Sequence, residues 1–165
     1  MRAITLFLCI LAGFLVSSCY SFKGGSVPAH LKTIAIPLLD DQSGSGEPGL
    51  SERMTNDLLD RFRKDNSMQV VDRTRADAIL EGSIVSSLDE PYVVKQGEEV
   101  TRWRITLSVK ASFQDLRQKK TVWERQFSNF ALYNAAEGPT ARQAGFAAAI
   151  NKVAEDIVNE TVSGW

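Results

Sequence analysis

The sequence predicts an α+β domain, a mostly antiparallel sheet of four to five strands with two helices packed on one face. Three observations predict it. Residues 103–113 alternate strictly between apolar and polar side chains, the period of a strand with one face on a core and one face in contact with water or a polar partner. Two stretches, 50–64 and 140–162, repeat their apolar residues at helical spacing. The order of elements is strand, helix, several strands, helix, which suits a layer of helices on an antiparallel sheet.

The elements follow in chain order. Residues 31–39 are apolar with the β-branched Thr33, Ile34 and Ile36, a first strand whose Pro37 marks an edge or an end. Residues 40–49 form a turn-rich loop; its glycines precede no Gly-Lys-Ser/Thr sequence, so it is not a phosphate-binding loop. Leu50, Met54, Leu58 and Phe62 recur every four residues and define the first helix. Met68 to Val71 reads as a short second strand and 73–77 as a connection. Ala78 to Leu88 reads as a third strand with a bulge expected at Gly82. After a polar tip, Lys95-Gln96-Gly97-Glu98-Glu99, comes the alternating strand, with Trp103, Ile105, Leu107, Val109, Ala111 and Phe113 on its core face. A turn at 117–120 leads to a return strand over 121–130 containing Val122, Trp123, Phe127 and Phe130, aromatics assigned by default to the core. Thr140 and Gln143 have capping-box spacing ahead of a final helix whose Phe146, Ile150, Val153 and Ile157 form one stripe.

Ahead of this domain stands a targeting segment. Met1-Arg2 and an apolar run to Val16 are too short for a comfortable span of about 20 residues, and the run ends in Val16-Ser17-Ser18-Cys19. An aliphatic residue, two small residues and a cysteine form a lipobox, so residues 1–18 are expected to be a signal peptide and Cys19 the site of lipid attachment. Residues 19–30 would be a lipidated tether and 31–165 a single domain. Tyr20, rather than an aspartate, follows the cysteine, which points to the outer membrane, on its periplasmic face. With Cys9 removed, Cys19 is the one remaining thiol, so no internal disulfide is expected.

Composition narrows the chemistry. Without Arg2 the chain carries 18 basic and 20 acidic side chains, a net charge of about −2 and no global field for nucleic acid. A single histidine, His30, and no free cysteine cannot build a common zinc site. No Gly-x-Ser-x-Gly element is present, and the carboxylate pairs Asp40-Asp41, Asp89-Glu90 and Glu98-Glu99 all fall in predicted loops. The reading is of a non-enzyme without a cofactor. Arg102, Arg104 and Lys110 share one face of the alternating strand, either as a solvated face or as one that meets anions or lipid headgroups.

The segments Tyr20-Ser21-Phe22, Val27-Pro28-Ala29-His30-Leu31-Lys32-Thr33-Ile34-Ala35-Ile36-Pro37 and Glu47-Pro48-Gly49-Leu50-Ser51-Glu52-Arg53-Met54-Thr55 carry a further signal. After the lipobox cysteine, they resemble the opening of the LptE family, the lipopolysaccharide-assembly lipoproteins. The resemblance implies a plug inside an LptD-type outer-membrane β-barrel that assists barrel assembly and lipopolysaccharide passage. It also implies lipopolysaccharide contact near a hairpin tip, which here makes Lys95 the lead candidate with Arg102 and Arg104 beside it, and Lys110 further along the strand. The competing expectation is another periplasmic interaction lipoprotein, such as a cell-wall synthase activator.

Overall fold

The computed structural model describes residues 27–92 and 102–165. Six strands form one sheet: β1 (Thr33–Ala35), β2 (Asp40–Asp41), β3 (Gln69–Val70), β4 (Ala78–Pro91), β5 (Arg102–Asp115) and β6 (Lys120–Asn134). Among the described residues, two α-helices, α1 (Leu50–Asp65) and α2 (Pro139–Ser163), accompany the sheet. The sheet order is β3-β1-β4-β5-β6, with β2 pairing beside β1 on β4. The long β4, β5 and β6 pair antiparallel, whereas the short β1 and β2 run parallel to β4 and β3 parallel to β1. The α+β architecture is therefore as predicted, with the long antiparallel ribbon making up most of the sheet.

The alternation in β5 does what its period requires. Ile105, Leu107, Val109, Ala111 and Phe113 are all buried, while Arg102, Thr106, Lys110 and Ser112 lie toward the other face. The helices cover the buried face: α2 lies against β5 and β6, and α1 against α2. Phe62, Phe113 and Phe146 are the largest fully buried side chains of this single core. Gly145 lets α2 come close to the sheet, since a Cβ there would meet Ile105 Cδ1 at 3.0 Å and the Tyr133 ring at 3.2 Å. Among the described residues no helix is long and apolar enough to cross a membrane.

Three local expectations are corrected. The first strand is shorter than 31–39, because β1 ends at Ala35 before Pro37, which has no N–H to give the ladder. The bulge is not at Gly82, which pairs in register with Ala111; the extra residue is Val85, between Ile84 and Ser86. Gly82 serves a different need, since a Cβ there would sit 2.9 Å from the Lys110 carbonyl oxygen. The second helix is not capped by Thr140 and Gln143. It starts at Pro139, with Gly138 as the cap residue and no side-chain cap bond. Proline at the first helical position brings its preset φ and lacks an N–H that would have had no partner, so the cap moves from Thr140 to Gly138 and the helix begins two residues earlier.

Candidate functional site

The face of β4–β5–β6 away from the helices is open, and the pairing register divides it into two halves. Near the β4–β5 hairpin, one row places Leu88, Thr106 and Phe130 side by side, and the next places Glu90, Arg104 and Leu132. Leu88, Phe130 and Leu132 are among the exposed large apolar residues of the domain. Arg104 lies across this patch. Its guanidinium carbon is 5.7 Å from the Tyr92 ring centroid and 5.9 Å from that of Phe130, and its Nε donates to Glu90 Oε1 at 3.1 Å. Arg102 stands two residues nearer the hairpin on the same face, opposite Asn134, and is exposed. Phe130, expected in the core, lies instead on this open face. Parity along β6 held the signal: Trp123 and Phe127 are odd-numbered and face the helices, whereas Phe130 is even-numbered and faces away.

Lys110 is not part of this group. Six residues along an extended strand separate it from Arg104 by about 20 Å. It lies in the other, polar half, where its Nζ is 2.5 Å from Glu124. There it lines an open groove of about 310 Å³ with Asp40, Gln42, Glu81 and Ser112. The structure therefore brings Arg102 and Arg104 together and leaves Lys110 apart. Lys95 and Cys19 lie outside the described residues.

Behind the apolar half, on the helix side, a polar clamp fixes the sheet to both helices. Arg142 Nε donates to Asp89 Oδ2 at 2.7 Å and its Nη1 donates to Glu47 at 2.7 Å. Arg53 Nη2 also donates to Glu47, at 2.8 Å, and the Tyr133 hydroxyl donates to Asp89 at 2.9 Å. Both guanidinium groups stack on the buried Phe146 ring, with Arg142 4.7 Å from its centroid. The bulge at Val85 makes this possible. It shifts the phase of β4 so that Asp89 pairs with Ile105 on the buried face instead of turning outward. Burial works to raise the Glu47 pKa, but hydrogen bonds from Arg142 and Arg53 outweigh it and hold the carboxyl below its ordinary range. Burial and the Asp89 carboxylate push the Tyr133 hydroxyl up to about 12.

The clamp gives physical meaning to the segment 47–55. Glu47 and Arg53 enter the clamp, and Leu50 and Met54 enter the core. The Ser51 hydroxyl donates to the Leu39 carbonyl, and the Leu39 N–H donates to Thr55 Oγ1 at 3.0 Å. One turn of α1 thus holds the end of the first apolar segment.

The family model for LptE, described as lipopolysaccharide-assembly, matches residues 31–163. The chain belongs to the LptE family. Family members are non-enzymatic lipoproteins of the cell envelope that act in lipopolysaccharide assembly. Among curated proteins no sequence matches. Among solved structures, the PelC dodecamer of Paraburkholderia phytofirmans is similar at a TM-score of 0.58 and 10% identity, over 84% of this chain and 94% of that one. A minor lipoprotein of Acinetobacter baumannii is similar at 0.52 and 13%, over 81% and 92%. The rare lipoprotein B of Shewanella oneidensis is similar at 0.50 and 13%, over 78% and 92%. At such identities the likeness shows a shared fold. Within this LptE-family chain, the residues that carried the resemblance at 47–55 are those that join α1 to the rest of the domain.

Proposed function

We propose that this protein is the lipoprotein half of an outer-membrane lipopolysaccharide-assembly translocon, held by lipid on Cys19 and seated within an LptD-type β-barrel. The observation that carries this reading is the open sheet face. One half is lined by serine, glutamine, glutamate and lysine, chemistry that suits the polar lumen of a large barrel. The other half joins aliphatic and aromatic side chains to Arg102 and Arg104, chemistry that suits an amphiphile with anionic groups. Lys95, Arg102 and Arg104 are the proposed lipopolysaccharide contacts. Lys110, in the polar half, is a separate contact, to the barrel wall. The protein needs no cofactor and catalyses no reaction in this role.

A photo-crosslinking amino acid at Gln126, exposed on this face opposite Lys110, tests the seating. The expected result is an adduct with a large outer-membrane β-barrel in cells. Adducts with soluble periplasmic proteins and none with a barrel would contradict it.

A further inference from the structure

The end of the sheet remote from the hairpin has a character that the lipopolysaccharide-assembly reading does not use. β1 and β4 begin there, β5 ends, and β6 begins after the turn at 116–119. The described chain also enters there. Val27 packs against the core, and His30 Nε2 lies 2.6 Å from Asp115. One hydrogen-bonded cluster joins these parts. Asp77 accepts from the backbone N–H groups of Lys32 and Thr33 at 3.0 and 3.1 Å and from Arg117 at 2.6 Å. Asp115 accepts from the backbone N–H of Gln118 at 2.8 Å.

This cluster sorts charge by depth. Its two carboxylates, Asp77 and Asp115, are buried and committed to internal donors. The cations around them are exposed: Arg117 is turned in to Asp77, and Lys32, Lys119 and Lys120 lie at the surface. Lys32, Lys119 and Lys120 form no ion pair with any described carboxylate. Residues 1–26 contain no aspartate or glutamate and so cannot neutralise them, and residues 19–26 add Lys23. Trp165, 39% exposed, sits at the same end, edge-on to Phe113.

We propose that this basal rim is a membrane-docking surface for anionic phospholipid headgroups in the leaflet that holds the lipid anchor. The proposal rests on the reading of Cys19 as the anchor. Val27 follows Cys19 by eight Cα steps, so the point where the chain enters this end can stand no more than about 27 Å from the lipidated residue. That tether lets the rim reach the bilayer surface, where, within a Debye length of about 8–10 Å, basic side chains gain from its negative charge and an interfacial tryptophan adds to the contact. A lipid chain combined with a basic patch is a general route to stable, oriented membrane attachment. With the base on the leaflet, the hairpin end and its apolar half point away from that surface.

The test is lysine footprinting of the lipidated protein on vesicles, once with phosphatidylcholine alone and once with phosphatidylglycerol added. The expected result is several-fold slower labelling of Lys32, Lys119 and Lys120 on the anionic vesicles, with Lys110 unchanged. In the double variant Lys119→Glu, Lys120→Glu, whose positions are exposed and outside the core, the protection of Lys32 should disappear. Equal labelling on the two vesicle types, or an equal drop at Lys110, would overturn the proposal whether or not Cys19 is lipidated. The mass of the peptide containing Cys19 reports the anchor separately, so failure of the anchor and failure of the docking surface are distinguishable.

Discussion

Arg142 shows how a single residue can hold three elements together. It reaches from α2 to Asp89 on β4 and to Glu47 ahead of α1. Glu47 is 8% exposed at its side chain, so removing it leaves two guanidinium groups without their shared partner. Glu47→Ala should therefore lower stability by about 1–2 kcal/mol, since both guanidinium groups are partly exposed and Arg142 keeps Asp89, read from urea unfolding midpoints; a change below about 0.5 kcal/mol would show that the clamp is not structural. Asp77 gives a pH signature. Burial works to raise its pKa, but hydrogen bonds from Arg117, Lys32 and Thr33 bring it down from 3.8 to about 2. A depressed carboxyl contributes its full stability above the ordinary value of 3.8 and loses it as pH falls through about 2. Asp77→Asn should thus be less stable than the parent at pH 7, with the gap closing as pH approaches 2. A gap independent of pH would point to packing instead. Arg104 is half-exposed, and its pair with Glu90 should contribute less than about 1 kcal/mol to folding. Arg104→Ala should leave the unfolding midpoint nearly unchanged and weaken lipopolysaccharide binding about tenfold or more by titration. Unchanged binding would remove Arg104 from the contact.

Among the elements, β6 carries a specific hazard. It is a 15-residue edge strand, and exposed edges invite pairing with another chain. Its middle is blocked. The Phe130 N–H donates to the Asn129 side chain at 2.9 Å, and the Phe130 carbonyl accepts from Lys152 Nζ at 2.8 Å. Asn129 is itself held by Asp156 of α2, at 3.1 Å. The double variant Asn129→Ala, Lys152→Ala should keep its circular dichroism spectrum but self-associate with rising concentration in sedimentation velocity. A strictly monomeric variant would show that the edge is guarded by something else. The elements also differ in how far the sequence disclosed them. The alternation of β5 and the four-residue spacing of α1 were legible because each sets one side of a regular element against the core. The parallel pairs made by β1, β2 and β3 were not. Two or three residues are too few to show a period, and what holds them is tertiary: β4 beside β1 and β2, β1 beside β3, and the bonds from Lys32 and Thr33 to Asp77. The displacement of the bulge from Gly82 to Val85 was equally hidden, because its effect is to turn Asp89 toward Arg142, a residue more than fifty positions away.

At the scale of the whole molecule, the domain has two distinct ends and two distinct faces. The helices close one face of the sheet, and the other is left open, polar in one half and apolar with guanidinium groups in the other. Composition had already removed a common zinc site and basic attraction to nucleic acid. It could not show that Arg102 and Arg104 share a patch with Leu88, Phe130 and Leu132, since that neighbourhood depends on the register of three strands. The resemblance in residues 47–55 falls on side chains that serve the joint between α1 and the rest of the domain. The central claim is that this LptE-family domain works inside an outer-membrane barrel. The most direct measurement is to purify the lipidated protein from outer-membrane extract and quantify what accompanies it. If the domain works inside such a barrel, a large β-barrel is recovered in about equal amount. Recovery of cell-wall enzymes with no barrel would contradict it.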